Sequence, residues 1–200
     1  KPFRERIHTE APVNDVRSSD TGIDIDSPRG TAKFDRVIFA THADQALALM
    51  QSPTQLQREL LSPFAYQPNS VCVHTDPKFM PQTRRCWASW NYRSEPAGNS
   101  THYWMNSLQG VSENEDYFVS LNANEQVPES PCKQALDYEH PLFDLDAIRA
   151  QRRLPELNDP NGRTFFCGSY FRYGFHEDAF RSAVDLCHTL LNGDPWEERA

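Results

Sequence analysis

Residues 163–193 constrain this chain more than any other stretch. Arg163-Thr164-Phe165-Phe166-Cys167 reads as a short apolar strand ending at Gly168, residues 169–176 as a loop, and a helix follows from about Glu177 to Leu191. The helix rests on three signals. Phe180, Ala183, Val184, Cys187, Leu190 and Leu191 recur at helical spacing. Glu177 and Asp178 occupy the first turn, where carboxylates favour the helix dipole. Asn192-Gly193-Asp194-Pro195 is a stop. A glycine directly after a strand lets a ligand approach the backbone, and the helix N-terminus offers unpaired N–H groups and partial positive charge. Such an end suits a phosphate, or a ring that gains negative charge during reaction. An ordinary strand-to-helix connection with glycine in its turn uses the same residues.

The remainder alternates between strand and turn signals, without internal repeats. Thr21 to Asp26 alternates like a strand and Ser27-Pro28-Arg29-Gly30 reads as its turn. Phe34 to Ala40 is a mostly apolar run, as expected of a strand buried on both faces. Asp44 is placed to cap a helix over Gln45 to Met50, and a second helix is expected from Thr54 to Leu61, ahead of Pro63. Ser70 to Thr75, Arg84 to Tyr92, Thr101 to Leu108 and Asp116 to Asn122 are strand-like. The last three, joined by turns at 94–99 and 110–115, read as an antiparallel meander. Pro128 to Asp159 is proline-rich, with one helical stretch at Ala147 to Arg153.

Composition excludes several classes. The chain has 200 residues and a formal net charge of −8, which argues against a clustered basic face for nucleic acid. Twelve Phe, four Trp and seven Tyr supply apolar area that demands a core. No apolar run is long enough to span a membrane. The five Cys have no CxxC or finger-like spacing, so neither a disulfide framework nor a zinc ribbon is indicated, and a reduced cytoplasmic setting is expected. The histidines lack the i, i+4 pairing of a zinc helix, so no metal site is expected. G-x-S-x-G is absent, and none of the eight Gly forms G-x-G, which removes both a dinucleotide fingerprint and a P-loop from these residues. Cys167 is expected as an inert strand cysteine.

Phe166-Cys167-Gly168-Ser169-Tyr170, followed by Gly174-Phe175-His176-Glu177-Asp178-Ala179, resembles the C-terminal flavin-contacting motif of FAD-dependent amine oxidase and phytoene desaturase-like proteins. Phe34 to Ala43 is similar to that superfamily's strand leading out of the FAD domain. His74-Thr75-Asp76-Pro77, Trp87 to Tyr92 and Tyr103-Trp104-Met105-Asn106 resemble a bacterial subgroup labelled only as NAD/FAD-binding oxidoreductases. The resemblance implies cofactor contacts at Val13 (adenine), Ala40 and Thr41 (close backbone passage), Gly168 and Ser169, and Gly174, Phe175, His176 and Glu177 at the helix start beneath the flavin. Ser169 stands where the family carries an acidic residue. The superfamily's N-terminal G-x-G-x-x-G unit is missing, so the chain looks like the C-terminal half of such an enzyme and is not expected to hold FAD tightly or to act alone.

The expected fold is therefore α+β, an antiparallel-sheet substrate domain interleaved with part of a Rossmann-like FAD-binding domain. Residues 1–44 and 160–200 would belong to the FAD domain and 45–159 to the substrate domain. The implied activity is oxidation of a C–N or C–C bond of a small molecule, an amine or an apolar acyl or isoprenoid chain, by hydride transfer to FAD. Trp90, Tyr92, Trp104, Tyr170 and Tyr173 are candidate substrate-pocket residues, and no catalytic acid or base is assigned. Two alternatives stand beside this reading: a non-catalytic module binding a sugar or apolar ligand on an aromatic-lined sheet, and a remnant serving only assembly.

Overall fold

The computed structural model describes residues 3–96, 98–123 and 127–196. Residue 97, in the turn expected at 94–99, lies outside them, as do residues 1 and 2. In chain order the elements are β1 (Asp15–Ser19), β2 (Gly22–Ser27), β3 (Gly30–Phe34), β4 (Val37–Phe39), α1 (Ala43–Leu49), α2 (Gln55–Leu61), β5 (Tyr66–His74), β6 (Trp90–Glu95), β7 (Gly98–Trp104), α3 (Met105–Gln109), β8 (Phe118–Leu121), β9 (Cys132–Pro141), α4 (Leu145–Gln151), β10 (Thr164–Phe166) and α5 (His176–Leu191). The fold is α+β. Two compact units divide it, residues 1–66 with 141–200 and residues 67–140. Among the described residues no helix is long and apolar enough to cross a membrane.

The first unit opens with the antiparallel meander β1-β2-β3. Gly22 starts β2 at φ +151°, and a Cβ there would stand 2.8 Å from the Phe34 carbonyl oxygen, so the close strand approach demands glycine. The expected single strand over Phe34 to Ala40 is broken in two. Phe34 pairs with Ile23 as the end of β3, and the Arg163 guanidinium donates to the Asp35 carbonyl at the bend that follows. Only Val37–Phe39 continues, as β4, parallel to β10. Nor is it covered on both faces, because Phe39 is buried while Ile38 is 48% exposed.

Helices α1, α2 and α4 pack into the same core as β4 and β10, through Ala43, Ala46, Leu60, Leu61, Ala147, Ala150, Phe39 and Phe166. This shared core moves the unit boundaries to 66/67 and 140/141, away from the expected 44/45 and 159/160. Thr54 and Gln57 cap α2 reciprocally, side chain to backbone at 3.2 and 2.8 Å. α1 begins earlier than expected, with His42 at its cap position and Asp44 inside the first turn. Asp144 accepts from Asp146 and Ala147 N–H and starts α4 two residues ahead of the expected helix. Phe165, on the other face of β10, packs with Cys167 and Leu186 of α5.

The second unit is a five-stranded sheet in the order β6-β7-β8-β5-β9. The β6-β7-β8 meander is antiparallel, as the turn signals indicate. Three details differ from the sequence reading. Arg84–Cys86 forms a 3-10 turn, so the strand starts at Trp90. Strand β7 stops at Trp104, because Asn106 donates to the Ser112 and Glu115 carbonyls and accepts from Tyr117 N–H, which folds Met105–Gln109 into α3. The proline-rich stretch holds a full strand, β9.

Candidate functional site

In the first unit the two parallel strands end side by side. Cys167 N–H donates to the Phe39 carbonyl at 2.9 Å, and the chain leaves β4 through Ala40-Thr41 and β10 through Gly168-Ser169. The carboxyl ends of parallel strands are where ligands meet α/β sheets. Gly168 has φ +158°, and a Cβ there would lie 2.6 Å from Tyr170 Cε1 and 3.5 Å from the Thr41 carbonyl oxygen. The missing side chain at 168 thus makes room for the Tyr170 ring.

Beyond Gly168 the loop folds back onto the start of α5. Gly168 N–H donates to Ser182 Oγ at 2.8 Å, and that hydroxyl donates to the Ala179 carbonyl at 2.7 Å. Gly174 N–H reaches the Ser169 carbonyl, and Asp178 Oδ2 accepts from both Tyr173 and Phe175 N–H at 3.1 Å. Phe175, at the cap position, supplies no side-chain hydrogen bond to the first turn and is 69% exposed. The opening amides of this 16-residue helix, at His176 and Glu177, receive no side-chain cap from Phe175, and both residues are exposed.

The structure thus gathers Ala40, Thr41, Gly168 and Ser169 at two adjacent strand ends, and Gly174, Phe175, His176 and Glu177 at the helix start tied to them. Val13 sits elsewhere, just ahead of β1, where the next residue, Asn14, extends the antiparallel ladder to Asp26. Beside the β4 end, Ala43 N–H donates to Tyr66 Oη at 2.9 Å, and the His42 ring stacks on Tyr66 at 4.1 Å. Burial pushes the Tyr66 hydroxyl up to about 12.

The candidate pocket aromatics are divided between the two units. Tyr170 is 1% exposed, packed on Phe64 and Phe171 in the core, and its buried Oη meets no hydrogen-bond partner among the described residues. Burial holds that hydroxyl protonated by raising its pKa. Tyr173 is exposed on the loop. In the second unit Trp90 and Tyr92 stand on one face of β6, 56% and 57% exposed, with ring centroids 6.4 Å apart. Trp104 lies on the opposite face, because the register pairs Trp90 with Tyr103. Its indole N–H donates to Asp116 Oδ1 at 2.8 Å, and Arg84 covers both it and Trp87 while pairing bidentately with Asp116. This arginine holds the Asp116 carboxyl below its usual range.

Sequence reasoning missed a buried polar chain on that same face. The β5-β8-β7 register sets His74 beside Phe118, and His102 beside Ser120. Asp76 N–H donates to His74 Nδ1 at 3.2 Å, which leaves His74 Nε2 to carry its proton toward Ser120 Oγ at 2.7 Å. Ser120 then donates to His102 Nδ1 at 2.7 Å, and His102 Nε2–H reaches Ser100 Oγ at 2.9 Å. All four side chains are buried, under Phe79 and Phe118. Burial lowers the pKa of both histidines, and with Arg93 nearby that of His102 falls to about 4, so both rings are neutral near pH 7. The metal-spacing test passed over these histidines because they act through strand pairing. The legible signal was polar residues at alternating positions, Ser100 with His102 and Cys72 with His74.

No protein-family model matches the sequence, and no curated protein does. Solved structures match most of the chain. A putrescine oxidase bound to putrescine aligns over 96% of this chain and 50% of its own, at 13% identity and TM-score 0.64. Cyclohexylamine oxidase from Brevibacterium oxydans IH-35A aligns over 94% and 50%, at 11% identity and TM-score 0.63. A fatty acid isomerase from P. acnes that produces CLA aligns over 88% and 46%, at 12% identity and TM-score 0.57. The chain spans about half the length of each, and it has the α+β fold of the matching half of these two amine oxidases and this isomerase.

Proposed function

We propose that this chain is the C-terminal half of a cytoplasmic FAD-dependent oxidoreductase that oxidises a C–N or C–C bond of a small molecule, an amine or an apolar acyl or isoprenoid chain. One observation carries the reading: the parallel pair β4 and β10 delivers Thr41 and Gly168 side by side, with the uncapped start of α5 bonded to the same loop. The amine oxidases that share the fold support it, as does the family resemblance of residues 166–179.

The residues present fit one edge of a flavin. Ala40, Thr41, Gly168, Ser169 and Gly174 would hold it through backbone, and Phe175 would pack on it. The amides of His176 and Glu177, at the positive end of α5, favour negative charge on a ring placed there. When bound, FAD supplies the hydride-accepting group. Asp178 fixes the loop by holding the Tyr173 and Phe175 amides, so those positions do not drift from the helix start. The open face of α5, with Phe180 exposed, belongs against the rest of such an enzyme.

The test is to purify the protein from its complete reading frame and record its visible absorbance. A flavin spectrum that survives gel filtration is expected. A folded, colourless protein that takes up no added FAD overturns the reading. A second reading has its own observation: Trp90 and Tyr92 are exposed together on the edge strand β6, the display a sugar- or apolar-ligand module would use. Ligand-dependent tryptophan fluorescence that is lost in Trp90→Ala, in a protein without flavin, would favour it.

A further inference from the structure

Cys72 on β5 and Cys132 at the start of β9 lie 60 residues apart in sequence, yet their sulfurs are 3.2 Å apart on neighbouring strands of one sheet. A disulfide needs about 2.05 Å, so closure asks for about 1 Å of sulfur travel, within reach of side-chain rotation. Both residues are half-buried free thiols. They open onto a pocket of about 330 Å³ lined also by Val71, Ser120, Val127 and Leu136, which gives a small reagent access to the sulfurs. The other three cysteines, at 86, 167 and 187, are also free thiols.

We infer that Cys72 and Cys132 are a redox-active pair, a modification site at which a low-molecular-weight disulfide oxidises the sheet to an internal Cys72–Cys132 bond. One cysteine loses its proton, and its thiolate attacks a sulfur of the reagent, giving a mixed disulfide and releasing one small thiol. The second cysteine, deprotonated in turn, attacks the protein-bound sulfur and releases the second small thiol. Two protein S–H bonds and the reagent's S–S bond are lost, and one protein S–S bond and two small-molecule S–H bonds are gained. Two electrons pass from the pair to the reagent. Burial, together with Cys132, pushes the Cys72 thiol up to about 11, so the reduced state keeps that proton at neutral pH and oxidation quickens as pH rises.

The test exposes the folded protein to glutathione disulfide, quenches with acid, and combines a thiol count in denaturant with peptide mapping. The expected result is one cross-linked peptide pair joining Cys72 to Cys132 with no glutathione on either, any retained glutathione being confined to the exposed Cys86. Dithiothreitol restores all five thiols of this chain. In Cys72→Ser and in Cys132→Ser, each checked for folding by circular dichroism, the remaining cysteine is expected to keep the glutathione as a mixed disulfide. The inference is overturned if the wild type keeps five thiols, if adducts form at both positions without a cross-link, or if the link joins any other pair.

Discussion

The sharpest test of the buried polar chain is Ser120→Ala. The Ser120 hydroxyl accepts from His74 and donates to His102, both at 2.7 Å. Alanine removes both bonds and leaves one N–H donor and one ring-nitrogen acceptor among buried side chains. An unpaired buried polar group costs about 1–3 kcal/mol, so two cost about 2–6 kcal/mol. That is a large part of the total stability of a domain, about 5–15 kcal/mol. Ser100→Ala is the internal control. It strips only His102 Nε2 of its acceptor at the end of the chain and should cost about half as much. Urea unfolding followed by tryptophan fluorescence reports on this unit, which carries Trp87, Trp90 and Trp104. Replacing His74 by Phe in the Ser120→Ala background should recover part of the loss, because the stranded donor goes with it. Equal costs for Ser120→Ala and Ser100→Ala, or a Ser120→Ala loss below about 1 kcal/mol, would refute the shared-hydroxyl geometry.

The histidines also set a pH dependence. The unfolded chain protonates near the ordinary His value of 6.5, whereas folded His102 resists until about 4, so stability is full above about pH 6.5 and falls as pH drops toward 4. The loss is on the order of 2 kcal/mol after allowance for solvent screening, and urea midpoints at several pH values measure it; a flat profile from pH 7 to 4.5 contradicts it. Gly168→Ala drives a Cβ into the Tyr170 ring and should cost about 1–3 kcal/mol in thermal unfolding. Tyr170→Phe deletes an unpartnered buried hydroxyl and should be neutral or stabilising by up to about 1 kcal/mol; a loss above that would mean the Oη has a partner in solution.

Much of the fold was legible because it depends on local periodicity. The strand–glycine–loop–helix unit, both early helices and the β6-β7-β8 meander follow from apolar spacing and turn residues. What escaped has a tertiary cause in each case. Strand β9 hides among prolines because a strand is defined by the neighbour it pairs with, here β5. The alternation through Met105 fails because the Asn106 side chain captures two carbonyls and an amide from residues 112–117. Alternation along β5 sets Val71 and Val73 on one face and Cys72 and His74 on the other, and the latter holds the buried chain, since hydrogen bonding to Ser120 makes a histidine as acceptable inside as a hydrophobe.

Gly168 shows how far a sequence reading reaches a site. The order strand, glycine, loop, helix correctly brings the carboxyl end of β10 to the first turn of α5, through Ser182 and Asp178. Which group fills the gap beside the glycine is decided by residues two positions onward and 127 positions back, the Tyr170 ring and the Thr41 carbonyl. The glycine lets Tyr170 enter the core, beside the loop whose amides Asp178 gathers. A substitution at 168 tests packing before it tests ligand contact. Asp178→Asn is the better probe of the helix start, because it weakens two exposed loop amide bonds while leaving Tyr170 in place. In a flavin-bearing preparation it should speed flavin release with little change in the unfolding midpoint, and equal release rates would separate the loop from the cofactor.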